Sequence, residues 1–440
     1  MRILYVSQYF PPEMGAPAAR VHALSREWVR QGHEVTVLTG FAQHPVGVKA
    51  PQDRGKLTRR EEVDGIDVVR SYIYAAPNQG IVRRMLSYAS FMVSALLIGS
   101  LRARRPDVVI ATSPQLLCGC AGYLLAKRFR VPFVFEVRDL WPESILAVDA
   151  MKENRLIRVL KATSRFLYYR SDRVVTVGHG YRRAIQRSYG VPDEQFDVIP
   201  NGLDTSLFTP STKNNEIRER LGWQDRFVAM YIGTHGMAHA LHRVLETAKI
   251  LRDRPDILFV FIGEGAEKQK LKQLAADWQL ENVQFLDQQP REEISKFYSA
   301  CDIGLVCLRD TDLFQEVLPS KIFEYLGMER PVLVSVKGDA RELIESAGAG
   351  EFVPPEQPVA LAEAILRYAN QPDKLEAMGR SGRDYVTRYF DRRVLATKYV
   401  EDVLEPLHSG TDRSQQSSWR SDDSSGQDAD IAIQKDRQAA

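Results

Sequence analysis

Glu316 and Glu324 stand eight positions apart in the run Glu316-Val-Leu-Pro-Ser-Lys-Ile-Phe-Glu324, whose Pro-Ser reads as a helix start. A helix start offers free N–H groups and the positive end of the helix dipole, which suits an anion. A carboxylate one turn further in can accept hydrogen bonds from hydroxyls without sitting on that anion. Glu324 lies among Ile322, Phe323, Tyr325 and Leu326, and a carboxylate in such surroundings needs partners. Lys321 could be an internal partner; alternatively Ser320 and Lys321, with their backbone amides, could meet a diphosphate. A ligand with a diphosphate at one end and ribose hydroxyls at the other fits this layout, and a nucleotide sugar has that shape.

Four further segments could carry chemistry. Phe10–Arg20 is a Pro-rich loop in which Gly15 would let backbone approach a ligand closely, or is simply a loop. Val260-Phe-Ile-Gly-Glu-Gly265 puts a Gly-x-Gly after an apolar strand, but without the third glycine and downstream acid of a dinucleotide fingerprint, which disfavours a nicotinamide enzyme. Asn201-Gly202 in Ile199–Asp204 reads as a turn. Arg138 and Asp139, in Glu136-Val-Arg-Asp-Leu-Trp-Pro-Glu143, follow an apolar strand; they either face a site or pair with each other.

The elements that must position these residues follow from periodicity. Short apolar runs (Ile3–Val6, Val35–Leu38, Val108–Ala111, Phe133–Val137, Val174–Val177) alternate with helical stretches such as Arg20–Arg30, and the alternation restarts at Val228–Ile232, Ile257–Ile262, Val283–Leu286, Ile303–Val306 and Val332–Ser335. Continuous β-branched strands alternating with helices predict parallel sheets covered on both faces, hence two doubly wound α/β domains in 440 residues. The expected division is 1–205, 206–390, a helix over 391–408 that could cross back to the first domain, and a Ser/Asp/Gln-rich disordered tail over 409–440. The hinge is expected near Leu203–Asn215, where Pro210-Ser-Thr-Lys-Asn-Asn has linker composition. Ligands of open parallel sheets sit beyond the carboxyl ends of the strands.

Composition narrows the classes. An apolar content of 44% and a charged content of 26% fit a globular protein. Met1 runs straight into a strand-like segment, so no leader is expected. Cys118, Cys120, Cys301 and Cys307 lie in apolar stretches and read as buried free thiols suited to a reducing cytosol. The net charge of +2 hides an asymmetry: residues 1–205 carry +10 and the remainder −8. A basic first half suits an anionic partner, either nucleic acid or membrane. The apolar stretch Met85–Leu101, bracketed by Arg83-Arg84 and Arg102-Ala-Arg-Arg105, reads as a domain helix or as an interfacial helix.

Taken in order, the Gly15 loop with Gly32–Thr39, Val198–Asp204, Val260–Gly265, the Glu316/Glu324 pair and the Arg330-Pro-Val-Leu-Val strand resemble glycosyltransferase family 4, from Met1 to about Leu407. Arg138–Ser144 and Leu318–Tyr325 look like the subgroup that builds bacterial surface polysaccharides, whose members include N-acetylfucosamine-type transferases. The resemblance implies a GT-B fold, two Rossmann-like domains facing across a cleft, and retaining transfer of a sugar from a nucleotide-diphosphate donor, a UDP-sugar favoured. The acceptor would be a glycan or a polyprenyl-diphosphate-linked sugar. It implies that Glu324 holds the donor ribose, Glu316 faces the sugar, Ser320 and Lys321 lie at the diphosphate, and Gly15 and Ala16 face the donor's phosphate and sugar. Glu264 and Gly265 would lie near the nucleotide, and Glu316, Asp139 and Arg138 would form the catalytic set. Three places depart from the broad pattern: Thr234 or His235, and His239, stand where an Arg and a Lys are common, Arg138 replaces a His, and Ala16 replaces a Gly. No metal, cofactor or nucleic acid is expected. A cytoplasmic enzyme that could also sit at the inner face of an anionic membrane is the expected setting. A non-hydrolysing nucleotide-sugar epimerase or a non-catalytic binding protein of the same fold are the alternatives.

Overall fold

A computed structural model describes residues 1–410 except 14, 44–46, 76–80, 149–150 and 291. The predicted tail thus lies outside the described residues from 411 onward. The chain forms two compact units, one from Met1–Asn201 plus the segment from Arg392, the other from Gly202–Asp391.

The first unit opens with β1 (Arg2–Val6), α1 (Ala16–Arg30), β2 (Glu34–Gly40), β3 (Thr58–Val63) and β4 (Ile66–Ser71). It continues through α2 (Ile81–Arg102), β5 (Val108–Thr112), α3 (Leu116–Phe129) and β6 (Phe133–Val137). After α4 (Glu143–Ala147) and α5 (Arg155–Arg170) come β7 (Arg173–Thr176), α6 (His179–Tyr189) and β8 (Phe196–Val198). The sheet order is β3-β4-β2-β1-β5-β6-β7-β8. All neighbours are parallel except β3 and β4. That hairpin was missed in the sequence although Asp64-Gly65, both at positive φ, is a hairpin-turn signal.

The second unit runs through α7 (Glu216–Leu221), β9 (Phe227–Ile232), α8 (Leu241–Ile250), β10 (Ile257–Ile262), α9 (Lys268–Asp277) and β11 (Val283–Leu286). It goes on through α10 (Ile294–Ala300), β12 (Ile303–Cys307), α11 (Lys321–Gly327), β13 (Val332–Ser335), α12 (Asp339–Ala347) and β14 (Gly350–Phe352), and ends in α13 (Pro358–Ala369) and α14 (Pro372–Phe390). Its sheet, order β11-β10-β9-β12-β13-β14, is wholly parallel. The core strands β9, β10 and β12 are almost entirely buried, which is why they read as unbroken apolar runs.

The segment expected to be a hinge is tied down. Leu203 donates its N–H to the Phe390 carbonyl (2.7 Å) and forms an isolated parallel bridge with Asp391, so the two ends of the second unit pair with each other. Within Pro210–Asn215, Ser211 bonds Ser299 (2.9 Å), Lys213 pairs with Asp302 (2.6 Å), and Asn215 caps α7. Three of the five polar residues of this stretch thus have specific partners, which its linker composition does not reveal. The chain changes unit at Asn201/Gly202 and again at Asp391/Arg392. From there α15 (Arg392–Tyr399) and α16 (Glu405–Ser409) belong to the first unit: the Trp28 indole donates to the Ala396 carbonyl (3.1 Å), and Leu395, Tyr399 and Leu404 join the core built on α1.

Leu203 is fully buried, and its side chain fills the space that Gly327 leaves open. Leu203→Ala is expected to destabilise the second unit by about 2–5 kcal/mol, read as a lower urea midpoint for its unfolding.

Candidate active site

In the second unit the site is built where two strands part. β9 and β12 pair only at Ala229–Ile303 and Met230–Gly304. Beyond that the Tyr325 ring of α11 lies over Gly304, where any Cβ would sit 2.6 Å from the ring. Its hydroxyl donates to the Met230 carbonyl (2.7 Å) and accepts the Ile232 N–H (3.1 Å). Tyr325 thus satisfies backbone groups of β9 that its β12 neighbour no longer meets.

Lys321, at the first position of α11, reaches toward this opening. Its ammonium lies 3.8 Å from the centre of the Tyr231 ring and close to Gly233, just past the end of β9. The stem is partly exposed, but the Nζ atom is buried and has no hydrogen-bond partner. Burial lowers its pKa to about 8, against the pull of Cys307 and Glu324. The loop after β9 brings two imidazoles to the same aromatic ring, His235 at 5.9 Å and His239 at 5.7 Å between centroids. Neither nitrogen of His235, nor Nδ1 of His239, has a hydrogen bond of normal geometry. Burial, followed for His235 by the Lys268 charge and for His239 by that of Lys321, lowers them to about 4 and about 3, so both are neutral at pH 7. A buried ammonium with no hydrogen bond, beside imidazole nitrogens that also lack one, is an arrangement completed by an anionic ligand.

The loop after β10 closes onto the same place. The His235 N–H donates to the Glu264 carbonyl (2.8 Å) and the Glu267 N–H to the His235 carbonyl (2.9 Å). A Cβ on Gly265 would stand 2.3 Å from that His235 oxygen, so the second glycine of Gly-x-Gly is required by loop-to-loop contact. The Glu264 carboxylate is held by Lys268 (2.6 Å), which also pairs with Asp287 (2.6 Å). Thr234 accepts the Tyr231 hydroxyl on its backbone oxygen (2.8 Å).

Glu324, one turn into α11, accepts the hydroxyl of the buried Tyr298 and does not hydrogen-bond Lys321, which answers the question left open in the sequence. Ser320 stands at the N-cap of α11 without using its side chain as a cap. Glu316 lies on the single turn Phe314–Glu316 that leads toward α11, and is 8% exposed. The sequence reading passed over Asp310-Thr-Asp312 just after β12; its Asp310 carboxylate is taken by Lys337 (2.8 Å). Among the described residues no three His, Cys, Asp or Glu side chains cluster as metal ligands.

In the first unit, Glu136 at the end of β6 is wholly buried and accepts from Tyr5 (2.8 Å), Thr112 (3.0 Å) and Arg20 (3.1 Å). Arg20 also donates to the Ile199 carbonyl (2.9 Å). Arg138 lies beside this cluster, its side chain 5% exposed and its Nε 3.9 Å from Glu136. Its Nε and Nη1 have no hydrogen-bond partner, and burial lowers its pKa to about 10, so it stays charged. Asp139 is not its partner: that carboxyl accepts from Ser144 (3.3 Å) and is raised by burial. Gly15, at φ +126°, forms the N-cap of α1; it and Ala16 are exposed, and a Cβ at Gly15 would touch only Pro17, at 3.7 Å.

Residues 15–202 match the Glycosyl transferase 4-like domain family and residues 213–385 the Glycosyl transferases group 1 family. The chain belongs to glycosyltransferase family 4. A protein of Escherichia coli (strain K12) named for a colanic acid biosynthesis glycosyl transferase, WcaI, is 25% identical over 414 residues, covering 92% of this glycosyltransferase and all of the relative. Sucrose-phosphate synthase from Thermosynechococcus elongatus superposes with a TM-score of 0.76 at 18% identity, over 93% of this chain and all of the other. Anabaena HepE in complex with UDP and glucose gives 0.69 at 18%, over 92% and 100%. The fold is GT-B, with two Rossmann-like parallel-sheet units.

The structure brings Thr234, His235, His239, Glu264, Gly265 and Lys321 of this glycosyltransferase together, and adds Tyr231 and Tyr325. Tyr298 is a further addition, as the partner of Glu324; nothing in periodicity or spacing marks it. Because burial sets the Lys321 pKa near 8, its charge is present at pH 7 and is lost as pH rises further. Pyrophosphate affinity, measured by calorimetry, is expected to fall as pH climbs past 8, and Lys321→Gln is expected to flatten that dependence. The linkage to folding has the opposite sign: the folded-state pKa lies below the ordinary 10.5, so this group's contribution to stability rises with pH between those values.

Proposed function

We propose that this enzyme transfers a hexosyl or acetamido sugar from a UDP-sugar to a glycan or polyprenyl-diphosphate-linked acceptor, with retention, in the synthesis of a bacterial surface polysaccharide. The observation that carries the reading is the buried, partnerless Lys321 ammonium at the parted ends of β9 and β12. The names of WcaI and of WaaG, a glycosyltransferase involved in lipopolysaccharide biosynthesis, support the pathway class, and the UDP complexes of HepE support the donor class.

In this reading the bond between the anomeric carbon and the phosphate oxygen breaks. The acceptor hydroxyl forms the new bond on the same face, and its proton leaves with the departing diphosphate or to water. Negative charge gathers on that diphosphate, and Lys321 with the amides of Ser320 and Lys321 stabilises it without having to reorganise. His235 and His239, neutral on their own, would gain protons more readily beside a bound diphosphate. Glu324, oriented by Tyr298, accepts from the ribose hydroxyls. Glu316 faces the transferred sugar, and charge neutralisation needs no metal. Glu264 and Gly265 border the nucleotide. Gly15 and Ala16 of the first unit present the start of α1 to donor phosphate and sugar, while Arg138 and Asp139 serve the reacting groups. The reaction belongs in the cytoplasm, where nucleotide sugars are made.

A donor screen reading released nucleoside diphosphate, with membrane lipid extract as acceptor, tests the reading; nucleotide sugar turned over to an epimer without acceptor would replace it by the epimerase. Lys321→Met is expected to lower kcat by about 10²–10³-fold, as loss of one charge-stabilising donor does. Glu324→Ala is expected to weaken UDP binding by about tenfold, the loss of a charged hydrogen bond, with kcat less affected.

A further inference from the structure

α2, α3 and α5 lie side by side on one face of the first unit's sheet. Glycines bring them close: Gly99 of α2 faces Leu125 of α3, and Gly119 of α3 faces Leu167 of α5. The three helices contain no Asp or Glu at all. Their inward residues are ordinary core, including Phe91, Ala95, Leu125, Leu160 and Leu167. Their outward residues are not an ordinary solvated face. Leu97 (59% exposed) and Leu101 (79%) continue a stripe with Leu86 and Val93 along α2, and Val159 (61%) and Phe166 (42%) do the same on α5.

Arginines frame this apolar surface. Arg158, Arg165 and Arg170 are exposed on α5 and have no carboxylate partner among the described residues. Arg165 and Arg170 instead lie over the Tyr169 and Phe166 rings, at 5.6 and 5.9 Å. Lys127 and Arg128 end α3, and Arg83 and Arg102 stand near the two ends of α2.

Arg83–Arg102 is long and apolar enough to cross a bilayer, with a mean hydropathy of 1.4. It is nevertheless packed against α3 through Gly99 and buries Tyr88, Phe91 and Ala95 in the domain. A helix fixed along a sheet can lie in a membrane surface but cannot span it without unfolding its own domain.

We infer that the outward face of α2, α3 and α5 is a membrane-docking surface, which lays its leucines, valines and Phe166 into the acyl boundary of an anionic bilayer while its arginines meet lipid phosphates. The aliphatic character of the stripe favours lipid over nucleic acid, whose bases are met by stacking aromatic and by polar groups. The inference is independent of the donor chemistry, so its failure would leave the proposed reaction standing.

Sedimentation of the full chain with vesicles tests it. The protein is expected to bind vesicles of phosphatidylglycerol and phosphatidylcholine in equal parts, to bind pure phosphatidylcholine far less, and to lose affinity as salt rises. Arg158→Glu with Arg165→Glu should weaken binding by about tenfold or more. Leu97→Ser with Leu101→Ser should weaken it at low and high salt alike. These positions are exposed, so melting temperature should not change, and Arg252→Glu on the second unit should behave as wild type. Recovery of the wild type in the supernatant with anionic vesicles would overturn the inference. So would vesicle binding that both double variants retain, or binding to single-stranded RNA that they lose while vesicle binding persists.

Discussion

Placing an ammonium in the interior without a counter-ion is costly, and proteins usually avoid it by pairing the charge or by letting it ionise less. Lys321 does the second, with its pKa drawn down to about 8. Much of the second unit's local structure can be understood as holding that charge in place. Tyr231 supplies the face of an aromatic ring, which attracts a cation without neutralising it. Gly233 leaves room for the amine, and Tyr325 secures the backbone of β9 just where its pairing with β12 stops. Glu324 is drawn aside by Tyr298, so the nearest carboxylate in sequence does not cancel the charge by hydrogen bonding to it.

The first unit solves a related problem differently. Glu136 and Arg20 are both buried, and each is almost fully occupied by the other and by neighbouring hydroxyls and carbonyls. Such a pair gives geometry rather than reactivity: it joins β1, β6, α1 and the Ile199–Pro200 carbonyls at the carboxyl ends of the strands. Arg138 borrows only part of that carboxylate and keeps unbonded donors. Among the described residues each unit thus carries a satisfied ionic framework and, at the end of its strands, an under-satisfied cation. In the second unit the framework is Arg218–Asp302–Lys213.

The fold was legible because its signals are local and repeated. Fully buried parallel strands tend to be apolar runs, and β1, β2, β5–β7 and β9–β13 announced themselves this way. What escaped were the three-residue edge strands β8 and β14 and the β3–β4 hairpin, whose β3 is half exposed and whose buried β4 carries Asp67, Arg70 and Ser71 among its apolar residues, although its Asp-Gly turn was there to see. The Pro210–Asn215 stretch failed for the opposite reason, since polar residues look alike in sequence whether solvated or bonded. At the site, motif positions were legible through resemblance, whereas the environment of each was not. Whether Glu324 would pair with Lys321 depends on Tyr298, which arrives from another helix, and whether Arg138 would pair with Asp139 depends on which way each side chain turns, toward Glu136 for the one and toward Ser144 for the other. The departure at Thr234–His239 was visible as a missing charge, but that both rings would be neutral and turned to Tyr231 required the fold.

The connectivity has a consequence for how the molecule is completed during synthesis. Domains of a nascent chain generally fold as units, the N-terminal one first. Here the second unit is an insertion whose ends, Leu203 and Asp391, clasp each other, so it can finish as soon as it has emerged. The first cannot: the indole of Trp28 waits for a carbonyl 368 residues downstream, and the groove along α1 stays uncovered until the last helices leave the ribosome. The part translated earliest is the part sealed last, and for most of translation its apolar flank is a surface that chaperones, rather than the chain itself, must shield.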